Sequence, residues 1–405
     1  MAHLSSLRIL ADENIPHVHE AFGTLGTVTL APGRAISASE VQAADVLLIR
    51  SVTEVDAALI QNHALQFVGS ATIGTDHVDQ DVLRERGIPF AHAPGSNADS
   101  VADYVLAALL HHAVRTGTDL PTRTVGVVGC GNTGSRVARR CEALGCCVLR
   151  NDPPRAENEP EHANQFVSLE TLLKEADIIS LHVPLTTGGP HATRHLLDTD
   201  VVGAMQSGTW LVNTSRGAVV EANAVRHGLH DGPIGALLFD VWPGEPAPAP
   251  DLIRDAAIAT PHIAGYAYDG KVRGTHMLYQ ALCDVLDRPA TWQPNDVLSA
   301  HAPATWHLAP PSARWPRTEA WNALAQQAYT IADDHRRMRA LASHLPEERA
   351  KAFADLRRTY PIRREMNRYA VTANSLLSEW HQPVSAGLTM QRTVPGATSS
   401  HMRST

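Results

Sequence analysis

Short apolar runs alternate with helix-like segments along most of the chain. Near the N-terminus these runs occupy residues 7–11, 46–49 and 66–69. An apolar run of this length is typical of a buried strand, and strands that alternate with helices form parallel sheets. This part of the chain is therefore predicted to fold as a small parallel α/β domain.

A second series of apolar runs starts at residue 124. Its members are residues 124–129, 146–150, 178–182, 209–213, 234–239 and 258–260. Strands at this spacing with intervening helices predict a doubly wound Rossmann sheet. A largely apolar helix over 97–113 is predicted to join the two domains, and a helix over 271–286 to return the chain to the first.

The predicted architecture is α/β, with two doubly wound parallel-sheet domains followed by a third module. The boundaries fall at residues 1–103 with 273–298, 104–272, 299–388 and 389–405. The first domain is expected to be flavodoxin-like and to bind substrate, and the second to be a Rossmann domain that binds a nucleotide. Residues 318–368 have a charged helical pattern without a catalytic signature, so contact between subunits is the expected role of the third module. Residues 389–405 are rich in Ser, Thr and Met and are expected to be disordered.

Composition narrows the class of function. The chain has 44% hydrophobic and 19% charged residues, which is ordinary for a folded protein. Its net charge of -8 argues against binding to nucleic acid or to an anionic membrane, both of which need clustered Lys and Arg. No secretory signal is expected, and the five cysteines fit free thiols in a reducing cytoplasm. No metal site is expected, despite 22 histidines.

A glycine motif follows the first strand of the second series. Gly129, Gly131 and Gly134 have the Gly-x-Gly-x-x-Gly spacing, and a helix is predicted directly after them. The first glycine permits a tight turn, the second lets a pyrophosphate approach the backbone, and the third lets helix and strand pack closely. Asn132 and Thr133 lie within the motif, where free N–H groups at the helix start face the phosphates. The motif predicts a dinucleotide site.

An acidic residue ends the next predicted strand. Asp152 lies about twenty residues beyond Gly131, where a carboxylate accepts hydrogen bonds from the adenosine ribose. Such a carboxylate repels a 2′-phosphate, so NAD is expected rather than NADP. Arg155 argues the other way, because an arginine at this position can accommodate the 2′-phosphate.

Polar groups follow three later strands of the second series. Arg216, Glu245 and His262 lie just beyond the carboxyl ends of these strands, the edge at which open α/β sheets bind ligands. Oxidation of a secondary alcohol needs a base for the hydroxyl proton, and histidine titrates closest to neutral pH. We therefore expect His262 to act as general acid/base and Glu245 to orient it. Arg216 is expected to bind a substrate carboxylate by paired hydrogen bonds.

Polar residues also follow strands of the first domain. Arg50 and Ser51 come directly after the run at 46–49, and Thr72 precedes Gly74 in a glycine-containing turn. A guanidinium, hydroxyls and backbone N–H groups are suitable donors to a phosphate. These residues predict a phosphorylated substrate.

The chain resembles the D-isomer-specific 2-hydroxyacid dehydrogenase family over roughly residues 7–285. In that family the glycine motif is followed by Arg, Glu and His in this order. The likeness extends to several shorter motifs. They are Asp12-Glu13-Asn14, Arg50-Ser51-Val52-Thr53, Ala71-Thr72-Ile73-Gly74-Thr75-Asp76-His77-Val78-Asp79, Asp152-Pro153-Pro154-Arg155 and His262-Ile263-Ala264-Gly265-Tyr266.

The resemblance implies oxidation of 4-phospho-D-erythronate at C2 by NAD, giving 2-oxo-3-hydroxy-4-phosphobutanoate in the biosynthesis of pyridoxal 5′-phosphate (vitamin B6). It also implies that the C-terminal module is an α+β dimerisation domain and that the protein is a homodimer. The same resemblance implies further contacts. Ser51, Thr72 and Tyr266 would contact the substrate, Asp152, Thr214, Asp240 and Gly265 the cofactor, Ser215 and Arg216 both ligands, and Val183 the cofactor through its backbone.

Two alternatives remain open on the sequence. A dehydrogenase for 3-phosphoglycerate or another D-2-hydroxy acid would carry the same catalytic residues. A binding protein that senses NAD, like the corepressors that share this family's fold, would also keep them. The motifs of the first domain favour the enzyme that acts on the phosphorylated four-carbon acid.

Overall fold

The computed structural model of the protein describes residues 7–61, 65–299, 305–307, 317–372 and 382–393. By its internal contacts the chain forms two compact units. Unit one comprises Met1–Ala98 with Ala267–Ala302, and unit two comprises Asp99–Tyr266 with Pro303–Thr405. The chain thus leaves unit one and returns to it, close to the predicted crossings at 103 and 273. The C-terminal residues belong to unit two, whereas the sequence predicts a separate module for them.

Strands and helices alternate through most of the chain. The strands are β1 (Leu7–Asp12), β2 (Gly26–Ala31), β3 (Val46–Ile49), β4 (Phe67–Ser70), β5 (Phe90–His92), β6 (Thr124–Val128), β7 (Cys147–Asn151), β8 (Ile178–Leu181), β9 (Thr209–Asn213), β10 (Ile234–Phe239), β11 (Ile258–Ala259), β12 (Thr305–His307), β13 (Ala370–Thr372) and β14 (Gln391–Thr393). The helices are α1 (Val18–Phe22), α2 (Ala38–Gln42), α3 (Gln80–Glu85), α4 (Ala98–Thr116), α5 (Asn132–Ala143), α6 (Pro153–Asn158), α7 (Leu169–Glu175), α8 (Thr199–Gly203), α9 (Ala222–His230), α10 (Pro250–Asp255), α11 (Tyr268–Val285), α12 (Asn295–Leu298), α13 (Arg317–Ala328), α14 (Ile331–Ala340) and α15 (Pro346–Arg358). Turns of 3₁₀ helix cover Gly33–Ala35, Leu120–Thr122, Pro160–Gln165, Gly217–Val219, Leu341–Ser343 and Met366–Arg368, and a turn of π helix covers Pro383–Gly387.

Unit one contains a parallel sheet with the strand order β2-β1-β3-β4-β5. The three apolar runs predicted near the N-terminus are its interior strands, and almost all of their residues are buried. The sequence does not predict β2 and β5, because they lie at the sheet edges. Most residues of β2 are partly or fully exposed, and β5 is only three residues long.

Helix α11 completes the interior of unit one. Its residues Leu278, Tyr279 and Leu282 are buried in the same apolar cluster as Ile9 and Phe22 from the start of the chain. Burial of one large apolar side chain contributes roughly 1.5–3 kcal/mol. The N-terminal strands therefore depend on the returning helix for part of their stability.

Unit two contains a parallel sheet with the strand order β11-β10-β9-β8-β6-β7. These strands correspond to the six predicted runs, which confirms the Rossmann-like architecture. The chain order reverses between β6 and β8, which pair directly although β7 separates them in the sequence. Open α/β sheets bind ligands at such a switch point, beyond the carboxyl ends of the strands.

Where the structure describes them, the C-terminal residues of unit two combine three α-helices with a small sheet. Trp321 of α13 is buried in the cluster that contains Tyr104 of α4, and Met338 of α14 and Phe353 of α15 are buried with residues of β10. The sheet has the order β12-β13-β14. The predicted disorder from residue 389 does not apply to β14, which pairs with β13, and residues 394–405 lie outside the described residues.

Within the described ranges, no helix combines the length and the apolar character that crossing a membrane requires. The same ranges contain no group of three or more His, Cys, Asp or Glu side chains placed to hold a metal ion.

Candidate active site

The loops after β9, β10 and β11 meet at one edge of the unit-two sheet. Their strands are neighbours, and Asp240 N donates to Asn213 O at 3.0 Å, while His262 N donates to Asp240 O at 2.8 Å. Arg216, Glu245 and His262 each lie in one of these loops. The fold therefore brings the three predicted catalytic residues to the carboxyl edge of one sheet.

His262 and Glu245 form a hydrogen-bonded pair. Nδ1 of His262 lies 2.8 Å from Oε2 of Glu245, and the backbone N–H of Trp242 donates to Oε1 of Glu245 at 2.8 Å. Burial raises the pKa of the Glu245 carboxyl, but the charge of His262, these two hydrogen bonds and the charge of Arg357 outweigh burial and hold the pKa below its usual value. Glu245 therefore stays ionised and orients the ring, so that Nε2 is the nitrogen available for proton transfer.

Arg216 lies close to the loop that carries Glu245. Gly217, the next residue, has no room for a side chain, because an added Cβ would lie 1.9 Å from the carbonyl oxygen of Trp242. Arg216 donates from Nη1 to the Ser215 carbonyl at 2.9 Å, and its own carbonyl accepts from Asn213 Nδ2 at 3.1 Å. Glycine at position 217 thus permits the close approach between the Arg216 loop and the Glu245 loop.

Asp240 connects β10 to the loop that carries His262. Its buried carboxylate accepts hydrogen bonds from Thr260 Oγ1 (2.6 Å), Ile263 N (2.8 Å) and Ala264 N (2.8 Å). Gly265 follows the two anchored residues directly. These contacts hold the loop in place, and the expected contacts of Asp240 and Gly265 with the cofactor stay predictions.

The glycine motif forms the turn between β6 and α5. Gly129 has a φ of 84°, which glycine adopts without strain, and an added Cβ there would lie 2.8 Å from Cγ1 of Val183. An added Cβ on Gly134 would lie 1.8 Å from the Gly129 carbonyl oxygen. On Gly131 it would meet no atom within 4 Å. Two of the glycines are thus required by the turn itself, and the third faces open space.

The N-terminus of α5 has the features of a pyrophosphate site. Gly131 is the capping residue and supplies no side-chain acceptor to the first N–H groups of the helix, which starts with Asn132 and Thr133. Backbone N–H groups and the helix dipole favour an anion at this position. Val183 follows β8, so it lies across the switch point from the motif.

Asp152 links the end of β7 to the glycine motif. Its carboxylate accepts from the N–H of Cys130 at 2.7 Å and from the N–H of Arg155 at 3.1 Å. Arg155 donates to Glu159 from Nε (2.9 Å) and Nη2 (2.6 Å), and to the Cys130 carbonyl from Nη1 (2.7 Å). Glu159 therefore occupies the guanidinium that a 2′-phosphate would need. The carboxylates of Asp152 and Glu159 favour NAD over NADP at this position.

Thr214 and Ser215 begin the loop that carries Arg216. Ser215 donates from Oγ to Asn213 Oδ1 at 2.9 Å, and Thr214 Oγ1 lies 3.3 Å from Nδ1 of His182. Burial lowers the pKa of His182 to about 3, so the ring is neutral at physiological pH. The sequence patterns do not single out His182, although its position at the end of a predicted strand is the signal that marks such residues.

Unit one holds the residues predicted for a phosphate. Arg50 donates from Nε to the fully buried Asp12 carboxylate at 3.0 Å, and Ser51 is exposed directly after it. Asp12 thus fixes the arginine, a role that the sequence does not indicate beyond the place of Asp12 at the end of a strand.

Thr72 belongs to a short chain of hydrogen bonds in unit one. Its Oγ1 donates to the Gly74 carbonyl at 3.1 Å and lies 2.7 Å from Ser70 Oγ, which in turn lies 2.9 Å from Nε2 of His77. Because the Thr72 proton is used by Gly74, Ser70 donates to Thr72. Ser70 and His77 therefore orient the hydroxyl that is predicted to contact substrate.

Tyr266 packs against C-terminal residues of unit two. Its ring lies edge to face on Tyr360, with 5.8 Å between centroids, and the guanidinium carbon of Arg357 lies 5.6 Å from the ring centre. These contacts are packing contacts, and the expected contact of Tyr266 with substrate stays a prediction.

Comparison with known proteins places the chain in a family. Residues 100–264 match the NAD binding domain of D-isomer specific 2-hydroxyacid dehydrogenases, and residues 311–383 match a domain of unknown function, DUF3410. The erythronate-4-phosphate dehydrogenase of Salinibacter ruber is 53% identical over 96% of this chain and 100% of its own length. That of Pseudomonas aeruginosa is 45% identical over 89% of this chain and 93% of its own length. The chain belongs to the erythronate-4-phosphate dehydrogenase family.

A solved structure shows the same fold as this member of the erythronate-4-phosphate dehydrogenase family. The D-lactate dehydrogenase of Aquifex aeolicus, in complex with NAD and lactic acid, matches with a TM-score of 0.58 and 24% identity. The match covers 69% of this chain and 95% of that protein. With the NAD binding domain established, the protein is an NAD-dependent dehydrogenase.

Proposed function

We propose that the protein oxidises 4-phospho-D-erythronate at C2 with NAD, giving 2-oxo-3-hydroxy-4-phosphobutanoate in the pathway to pyridoxal 5′-phosphate. The observation that carries the proposal is the hydrogen-bonded His262–Glu245 pair beside the Arg216 loop, on the sheet edge that also carries the glycine motif. The substrate follows from the relatives, which are named erythronate-4-phosphate dehydrogenases.

The reaction removes a hydride and a proton from one carbon and its hydroxyl. His262 accepts the C2 hydroxyl proton on Nε2, and Glu245 stabilises the imidazolium that forms. Arg216 binds the C1 carboxylate by charge-assisted hydrogen bonds, which fixes C2 relative to the imidazole. NAD would be held at the glycine motif of Gly129, Gly131 and Gly134 and would supply the hydride acceptor. The C2–H and O–H bonds break, the C2–O bond becomes a carbonyl, and the products are the 2-oxo acid, NADH and protonated His262.

Arg50, Ser51 and Thr72 are proposed to bind the substrate phosphate and hydroxyls. The pairing of Arg50 with Asp12 through Nε does not use the terminal guanidinium nitrogens, which are good donors to phosphate oxygens. Thr72 donates its proton to Gly74, so its oxygen is suited to accept from a substrate hydroxyl.

The protein is further proposed to be a cytoplasmic homodimer that forms through its C-terminal residues. All five cysteines are free thiols, which suits a reducing compartment. The proposal of a dimer rests on the C-terminal addition that matches DUF3410.

The substrate assignment is tested by comparing purified protein on 4-phosphoerythronate, 3-phosphoglycerate and D-lactate, with NADH absorbance as the readout. The highest kcat/KM is expected with 4-phosphoerythronate. A preference for 3-phosphoglycerate would replace the substrate but not the chemistry. A preference for D-lactate would contradict the phosphate site at Arg50 and Ser51. NAD binding without turnover of any hydroxy acid would favour a protein that senses NAD.

The His262→Ala variant tests the catalytic assignment. Loss of the general base should lower kcat by about 10²–10⁴-fold while the affinity for NADH changes little. His227→Ala, at an exposed position on α9, is the matched control and should retain full activity. Turnover by His262→Ala at the rate of the control would remove His262 from the mechanism.

A further inference from the structure

The chain from β11 to the His262 loop is held at two points by C-terminal residues of unit two. Strand β11 has only two residues and lies at the edge of its sheet, so among the described residues one of its sides pairs with no strand. On that strand, the N–H of Ala259 donates to Nδ1 of His335 at 3.0 Å. Within the loop, directly after His262, Nη2 of Arg363 donates to the carbonyls of Ile263 at 3.1 Å and Ala264 at 2.6 Å. C-terminal side chains thus bind the backbone on either side of His262.

The two residues after His262 are bound at both their N–H and their C=O groups. Asp240 accepts from the N–H groups of Ile263 and Ala264, and Arg363 donates to the carbonyls of the same two residues. His262 itself has a φ of 58°, a left-handed conformation that is disfavoured for a residue with a side chain. Such a conformation persists only where the surroundings over-determine it. Asp240 and Arg363 supply those surroundings.

Arg363 is itself held rigidly. It is buried, and its guanidinium carbon lies 4.3 Å from the ring centre of Tyr329, a stacking distance. Its Nη1 donates to the hydroxyl of Tyr360 at 3.4 Å. The hydroxyls of Tyr329 and Tyr360 both donate to Asp334, at 2.9 Å and 2.8 Å. The position of the guanidinium is therefore fixed by α14 and its neighbours before any ligand binds.

We propose that Arg363 is a positioning residue for His262, and that the C-terminal segment matching DUF3410 thereby takes part in the dehydrogenase reaction of its own chain. The proposal rests on the proposed role of His262 as general base. Arg363 acts through the backbone. By binding the Ile263 and Ala264 carbonyls it keeps the His262 imidazole in line with the Glu245 carboxylate, and a displacement of about 1 Å at a catalytic group can lower a rate about 10²-fold.

The experiment compares Arg363→Met and Arg363→Lys with Leu324→Ala in the full-length protein. Leu324→Ala is the control for lost stability, because Leu324 on α13 is also a buried residue of the C-terminal segment and its side chain has no hydrogen-bonding group. For each variant, kcat, KM for substrate, NADH affinity by fluorescence and the melting temperature are measured.

Arg363→Met is expected to lower kcat about 10–100-fold with less than about a threefold change in NADH affinity, since the glycine motif is untouched. Arg363→Lys should recover part of kcat, because an ammonium still donates to one or both carbonyls. Leu324→Ala should keep kcat within about twofold of the parent, even where its melting temperature falls as far as that of Arg363→Met.

Equal kcat values for Arg363→Met and Leu324→Ala would overturn the proposal. If Arg363→Met does not fold, Arg363→Lys is compared with Leu324→Ala: a specific loss of kcat in Arg363→Lys supports the positioning role, and equal kcat values reject it. The two proposals fail separately. An inactive His262→Ala with a fully active Arg363→Met would reject only the role of Arg363, whereas an active His262→Ala would reject the general base itself.

Discussion

Individual residues at the site use some of their hydrogen bonds to hold the backbone of the loops and others to orient the predicted catalytic groups. Glu245 uses Oε1 to accept from Trp242 and Oε2 to bind His262, so a single partly buried carboxylate fixes both its own loop and the imidazole. Asp240 uses both of its oxygens to hold the backbone after His262. Because these carboxylates are hydrogen-bonded throughout, the imidazole has one defined orientation before substrate binds.

The glycine motif offers a prediction at the level of single atoms. Gly131→Ala should fold normally, since its Cβ would meet no atom within 4 Å, but should weaken NADH binding by about tenfold or more where the pyrophosphate approaches. Gly134→Ala should instead lower the melting temperature, because its Cβ would lie 1.8 Å from the Gly129 carbonyl oxygen. Calorimetry and NADH titration of both variants are the measurements. The reverse result, with Gly131→Ala the less stable protein, would reject this division of roles.

Among the secondary-structure elements, interior strands are the ones that the sequence predicts well. Strands such as β3 and β8 are buried on both faces, so they appear as uninterrupted apolar runs. The edge strand β2 has Thr and exposed positions in place of such a run, and the pattern does not mark it. The residues of the site follow the same rule. Arg216 and His262 were predictable because each follows an interpretable strand end.

Arg363 and His335 could not be predicted, because they belong to a different kind of element. Arg363, Arg364 and Glu365 form a charged run that is typical of a solvent-exposed helix, and the sequence assigns it to one. In the structure these three residues follow α15 in an extended segment and are 7%, 6% and 1% exposed. Arg363 is buried against the His262 loop, and Glu365 accepts from Ser100 of α4. The periodicity of a sequence does not indicate such contacts between distant parts of the chain.

The contact between α14 and β11 gives a prediction for stability against pH. Burial, helped by neighbouring positive charges, lowers the pKa of His335 to about 4, so the neutral ring accepts from Ala259 N–H. A histidine whose pKa is lowered in the folded state contributes its full stability to the folded protein above the unfolded pKa of about 6.5. This contribution is lost as the pH falls toward about 4. In His335→Gln the side chain still has a hydrogen-bond acceptor, but glutamine does not become protonated as the pH falls. Its melting temperature should therefore fall less than that of the parent between about pH 7 and pH 5.

The control for this prediction is His227→Gln on the exposed face of α9, which should follow the parent curve. Burial also lowers the pKa of His112 to about 4, so the His335 variant should retain part of the pH dependence. Parallel melting curves for His335→Gln and the parent would mean that the buried ring does not couple protonation to folding.

At the scale of the whole molecule, the residues predicted to bind NAD and those predicted to bind the substrate phosphate belong to different units. All residues expected to bind NAD lie between Gly129 and Gly265, within unit two, whereas Arg50, Ser51 and Thr72 lie in unit one. NADH at 100 times its dissociation constant should stabilise the unit that binds it by about 2.7 kcal/mol. When NADH is added without substrate, the exchange of backbone amide hydrogens should therefore slow in β6, β8 and β9 far more than in β1, β3 and β4. Equal slowing in both sets would contradict the assignment of the cofactor site to unit two alone.

The discontinuous path of unit one also bears on how the protein is made. A ribosome that has released the first 98 residues has delivered the strands of unit one, but not Leu278, Tyr279 or Trp292, which complete their apolar cluster. In the nascent chain, side chains such as Ile9 and Phe22 lack these packing partners until all of the intervening residues have been translated. Unit one is thus the first part of the protein to be synthesised and cannot be the first to finish folding.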